Sequence, residues 1–107
     1  MDVTEFEEKI QDAATLLKAM SNERRLEIIC ALYKGEKSVT ELESIVGLSQ
    51  SALSQHLARL RRDDIVKTRR DAQTIYYSLG NQAVEAILYA LCKIYNQNDP
   101  SACPPTS

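Results

Sequence analysis

Four uncharged hydrogen-bonding side chains, Gln50, Ser51, Ser54 and Gln55, stand close together in the chain. Leu53, Leu57 and Leu60 recur among them at i, i+4 and i+7, so a helix over about residues 50–63 buries the leucines and turns the polar four outward with Arg59. Amides and hydroxyls both donate and accept, which is the chemistry that reads base-pair edges in a major groove. A plain solvent face carries Glu and Lys instead. Lys67, Arg69 and Arg70 follow shortly and suit phosphate oxygens. The other groups able to do chemistry are Cys30, Cys92, Cys103 and the single imidazole, His56, which the same helix carries and which is counted with the DNA-facing set. A closed zinc site needs about four N or S ligands, so no metal is expected. There is no Gly-rich phosphate loop and no nucleophile with a base at usable spacing, so neither an enzyme nor a cofactor is expected.

Helices must dominate the elements that position these groups, because three glycines and three prolines give little punctuation for an all-β fold. Phe6, Ile10, Ala13, Leu17 and Met20 predict one helix from about Thr4, its cap, to Met20. Ser21 or Asn22 caps a second whose apolar residues, from Leu26 through Cys30 to Tyr33, wrap nearly its whole circumference, and Gly35 stops it. Ser38-Val-Thr-Glu41 has capping-box spacing and opens a short third helix that ends at Gly47. Ser49 then caps the polar helix. Beyond it the period changes from helical to alternating: 65–70 and 74–79 read as the strands of a hairpin joined by Asp71-Ala-Gln73, with Ile75, Tyr77 and Leu79 on one side. Val84, Ile87, Leu88, Leu91, Ile94 and Tyr95 mark a last helix to about Gln97.

At 107 residues the chain fits one domain, read as 1–97, with a Pro- and Ser-rich tail at 98–107 expected to be loose. Asp2, Glu5, Glu7, Glu8 and Asp12 stand where a signal peptide would carry a basic start and an apolar run, so a cytoplasmic protein is expected. The net charge of −2 hides an asymmetry. Residues 1–43 hold six basic and ten acidic groups, 44–79 six and three, and 80–107 one and two, so the middle third is the basic part.

Helix, tight turn, helix, then a basic hairpin is the layout of a winged helix. Leu16-Leu-Lys-Ala-Met-Ser-Asn-Glu-Arg-Arg-Leu26, Leu48-Ser-Gln-Ser-Ala-Leu-Ser-Gln-His-Leu-Ala-Arg-Leu60 and Arg69-Arg-Asp-Ala-Gln-Thr-Ile-Tyr-Tyr77 resemble the ArsR/SmtB family of dimeric bacterial repressors over about residues 13–97. Within it they are most similar to the HlyU/BigR type, some of which sense sulfide or persulfide, and to the NolR type, which has no thiol switch. The resemblance implies a mainly α winged helix-turn-helix, with four helices, two strands and a fifth helix, forming a homodimer through its first and last helices. Both end helices carry apolar stripes that agree with this. It implies an inverted-repeat duplex DNA operator as partner, bound through Gln50, Ser51, Ser54, Gln55, His56, Arg59, Lys67, Arg69 and Arg70.

The family's metal sensors use a cysteine pair in the third helix or Asp and His on the last; here the third helix reads Ser38-Val-Thr-Glu-Leu-Glu-Ser44 and the last has no His. In a cytosolic chain permanent disulfides are not expected, and by residue type alone Cys30 and Cys92 are small core fillers. The resemblance adds a different role. Cys30 matches the first reactive cysteine of the HlyU/BigR type, while the second falls at Asn96, leaving Cys92, one turn earlier, or Cys103 in the tail as the partner. A redox switch between Cys30 and one of these, set by reactive sulfur species and helped by Arg24 or Arg25, is therefore expected. The alternatives are a repressor with no thiol switch, an arsenite-type thiolate sensor, and a winged helix that binds protein.

Overall fold

The structure is a computed structural model and describes residues 2–96 and Cys103. In chain order it runs α1 (Val3–Glu7), α2 (Ile10–Met20), α3 (Glu23–Tyr33), β1 (Lys37–Ser38), α4 (Val39–Val46), α5 (Gln50–Arg62), β2 (Val66–Asp71), β3 (Thr74–Leu79) and α6 (Gln82–Tyr95). The core sits where α3, α5 and the start of α6 meet the base of the hairpin. Ile28, Ile29, Leu42, Leu53, Leu60, Ile65 and Val84 are its fully buried large side chains.

The caps explain where the central helices begin. Asn22 Oδ1 accepts from the Arg24 and Arg25 N–H groups and opens α3. At α4 the reciprocal box forms: Glu41 N–H donates to Ser38 Oγ at 3.2 Å and Ser38 N–H to Glu41 Oε1 at 2.9 Å. These bonds hold the Glu41 carboxyl below the usual carboxylate range. Gly47 ends α4 at φ 71°, a left-handed conformation that needs glycine to avoid strain. Two residues later Ser49 Oγ accepts from Ala52 N–H and α5 begins. The angle between α4 and α5 is thus set by three residues, Gly47 to Ser49.

Four expectations need correcting. The single helix from Thr4 to Met20 is two, α1 and α2. Lys9 N–H closes back onto Phe6 C=O at 2.8 Å, and Glu7 and Glu8 lie at the negative end of α1, where acidic groups weaken a helix. Asp2 caps α1, not Thr4, its Oδ1 accepting from Glu5 N–H at 2.9 Å. The hairpin is the larger part of a three-stranded antiparallel sheet of order β1-β3-β2, because Lys37 and Ser38 pair with Tyr77 and Tyr76. Two residues are too few for an alternating pattern to show in the sequence. The wing turn is two residues: Asp71 pairs with Thr74, and Ala72 takes φ 57°. The expected loose tail and the end of the last helix at Gln97 fall outside the described residues, apart from Cys103.

Much of the apolar surface of the end helices is left uncovered. Phe6, Ile10 and Leu17 on α1 and α2, and Ile94 and Tyr95 on α6, are about half or more exposed. In α2 only Ala19 and Met20 are buried. No described helix is long and apolar enough to cross a membrane.

Candidate nucleic-acid interface

Helix α5 divides its two faces as its spacing requires. Leu53, Leu57 and Leu60 are buried, and Gln50, Ser51, Ser54 and Gln55 are exposed. The hairpin stands beside it. Between them lies a groove of about 560 Å³ bordered on the helix side by Gln50, Ser54, Ala58, Arg61 and Arg62 and on the wing side by Ile75 and Tyr77. The first four repeat along α5 at i, i+4, i+8 and i+11, so Arg61 continues the stripe of Gln50 and Ser54. The set expected from the sequence lacks Arg61 and Arg62. Extending the helical stripe one turn past Ala58 would have found Arg61.

The basic groups of the wing are not equivalent. Arg69 is held bidentately by Glu36, its two guanidinium nitrogens 2.7 and 3.1 Å from the carboxylate oxygens, and lies 4.6 Å over the Tyr76 ring. Its hydrogen bond to Glu36 raises the Arg69 pKa and holds the Glu36 carboxyl below its usual range. Arg70 Nε donates to Ala72 C=O at 3.1 Å, placing its guanidinium over the wing tip. Among the described residues neither Arg70, Lys67 nor Arg61 has an acidic partner, whereas Arg59 and Arg62 both approach Asp63, at 3.6 and 3.5 Å. Arg59 Nε is buried and lacks a hydrogen-bond partner within the described structure, the Asp63 approach being too long to supply one.

His56 stands apart from the exposed polar set. It is half-buried, and burial, with the Arg25 and Arg24 charges next in weight, pushes its pKa down. The folded protein therefore binds this proton less readily than the unfolded chain. Stability is complete above the ordinary histidine range near pH 6.5 and declines as pH falls through that range toward the lower folded value. Acid titrations of stability are expected to show this decline, and His56→Gln to flatten it; an unchanged slope in the variant would contradict the placement.

The thiols gather at the other end of α3. Cys30 is a free, exposed thiol, and Cys92 is bonded to Cys103, with Cα atoms 5.9 Å apart. The disulfide differs from both expectations for the cysteines: it joins the two candidate partners to each other and leaves Cys30 out. The 11-residue separation brings Cys103 back to the last turns of α6, where it is buried. Cys30 and Cys92 nevertheless line one apolar cleft of about 370 Å³ with Leu26, Tyr33, Lys34, Leu88, Leu91 and Tyr95. Although Cys30 is open to solvent, partial desolvation against the cleft pushes its thiol up, partly opposed by Lys34. Arg24 and Arg25 do not fill the helping role expected of them. Arg24 pairs with Glu27, and Arg25 is buried with Nε 2.6 Å from Ala19 C=O, closing the end of α2. No cluster of three or more potential metal ligands occurs among the described residues.

Residues 22–68 match the family described as "Bacterial regulatory protein, arsR family". "Transcriptional activator HlyU" of Vibrio cholerae is 53% identical over 97 residues, covering 91% of this chain and 90% of that protein. The chain belongs to the ArsR family. "Nodulation protein NolR" of Rhizobium meliloti is 53% identical over 94 residues, covering 88% of this chain and 77% of its own. Among solved structures, the transcriptional repressor BigR from Xylella fastidiosa superposes with a TM-score of 0.84, at 39% identity over 89% of this chain and 97% of that one. ArsR-family proteins are winged-helix transcriptional regulators, not enzymes.

Proposed function

We propose that this ArsR-family regulator binds an inverted-repeat operator as a homodimer and represses until Cys30 is oxidised into a link with a sulfur on the last helix. The observation that carries the DNA half is the continuous stripe of Gln50, Ser54 and Arg61 facing the wing across one groove. The uncharged groups read base edges, and the arginines and wing hold phosphates. The uncovered apolar residues of α1, α2 and α6 supply the self-complementary surface of a two-fold dimer, which sets two α5 helices about one DNA turn apart. The thiol half is supported by Cys30 and Cys92 facing one cleft, and by a solved relative described as the reduced form of HlyU.

Wing charge gives the first test. Arg70→Ala is expected to weaken binding to all duplexes alike and to flatten the dependence of log K on log salt by about 1.8, about 0.9 for the one phosphate that each protomer of the dimer neutralises. Glu36→Gln is expected to act oppositely, freeing Arg69 for phosphate: tighter binding and a steeper slope by a similar amount. Gel shifts at several salt concentrations measure both, and equal slopes in all three proteins would place the backbone-binding groups elsewhere.

Cys30→Ser tests the switch. This variant is expected to bind operator like the wild type and to stay bound under persulfide, while the wild type dissociates. If both release, or neither does, the protein is a repressor without a Cys30 switch.

A further inference from the structure

Cys92 lies between two other sulfurs, bonded to Cys103 and sharing a cleft with Cys30. The three differ in access: Cys30 is exposed, Cys92 half-buried, and Cys103 only 5% exposed. Only Cys30 and Cys92 face the apolar cleft between α3 and α6. A nucleophile entering that cleft therefore meets the disulfide from its Cys92 end, and Cys30 is the nucleophile already there.

We propose that Cys92–Cys103 is a stored, DNA-competent oxidised form, and that the regulator switches when Cys30 attacks Cys92 Sγ and expels Cys103. This rests on the Cys30 switch proposed above and supplies its route. The Cys30 thiol gives up its proton and its thiolate forms the Cys30–Cys92 bond. The Cys92–Cys103 bond breaks, and Cys103 leaves as a thiolate that takes up a proton. The count of disulfides is unchanged and no oxidant is consumed in the step.

The surroundings decide how fast this exchange runs. Fixing both sulfurs on the walls of one cleft makes the reaction intramolecular, which favours it over attack by a dissolved thiol. Partial desolvation in the cleft holds back the Cys30 thiolate, and Lys34 on the same wall opposes that. The exchange is therefore slow at neutral pH and quickens as pH rises toward the raised Cys30 pKa. The tail cysteine then has a defined function: it holds Cys92 in a bond that Cys30 must displace, which delays the link between α3 and α6.

The test starts from full-length protein carrying the Cys92–Cys103 bond, incubated with no added oxidant. Free thiols are trapped by alkylation at intervals, disulfide-linked peptides are identified by mass spectrometry, and operator affinity is followed in parallel. The expected result is a Cys30–Cys92 peptide appearing in equal amount with alkylated Cys103, about tenfold faster per pH unit below the Cys30 pKa. Operator affinity is expected to fall with it by about 10³-fold or more, toward nonspecific binding. Cys30→Ser is expected to keep both its Cys92–Cys103 bond and its DNA. A wild-type Cys92–Cys103 bond that persists from about pH 7 to 9, with Cys30 alkylated throughout, overturns the exchange. Cys103→Ser under persulfide then separates the two proposals: release shows that the Cys30 switch stands without the exchange, and no release removes both.

Discussion

Leu17→Glu is expected to turn the protein into a monomer and to lower its affinity for an inverted-repeat duplex by about 10²- to 10⁴-fold, the advantage that linking two reading heads gives. Leu17 is 52% exposed on α2 and outside the buried cluster, so the change leaves the α3–α6 core intact. A charge placed there is tolerated by water and not by a second copy of the same apolar surface, because burying an unpaired carboxylate costs far more than the apolar packing contributes. Ile94→Glu, on the last helix, is expected to do the same from the other side of the interface. Light scattering reads the oligomeric state, and gel shifts on full and half sites read the affinity. Two variants that stay dimeric with unchanged operator affinity would show that these helices do not form the interface.

Leu53→Ala is expected to destabilise the fold by about 2–5 kcal/mol, the cost of a cavity in a packed core. Leu53 is wholly buried on the inner face of α5 and belongs to the main apolar cluster. For a domain near this size each kcal/mol lowers Tm by about 4–8 °C, which thermal unfolding resolves easily. On the outer face of the same helix, Gln55→Ala is expected to leave Tm almost unchanged and to reduce discrimination between operator and altered sequences by about 1–3 kcal/mol for a bidentate base contact. The pair separates positioning from reading within one helix. A Leu53→Ala protein as stable as the wild type, or a Gln55→Ala protein with undiminished base preference, would mean that α5 is oriented differently.

Helix α5 is legible in the sequence because strong local signals coincide there. Ser49 as cap, Gly47 as the left-handed stop and three leucines at helical spacing all agree, and the structure buries and exposes the residues accordingly. The wing is legible because β-branched and aromatic residues gather in two six-residue strands on either side of a short polar turn, although their burial does not alternate as expected. What the sequence hides depends on partners far apart in the chain. Nothing local to Glu36 or Arg69, 33 positions apart, indicates that the two pair, yet that pairing removes one of three expected wing cations from the free set. Arg25 is expected beside Cys30, but folding brings the end of α2 over it, and the Ala19 carbonyl accepts its guanidinium N–H. Family resemblance ties Cys30 to a last-helix sulfur, whereas only the structure shows Cys103 already bonded to Cys92.

The DNA-reading assignment is tested most directly by selecting duplexes from a random pool with the full-length protein, then titrating the enriched sequence at two salt concentrations. The predicted outcome is a two-fold symmetric sequence whose half-site centres lie about 10–10.5 bp apart, bound by one dimer with affinity that falls steeply as salt rises. Failure to enrich any sequence, or enrichment of one asymmetric half-site held by a monomer at full affinity, would contradict it.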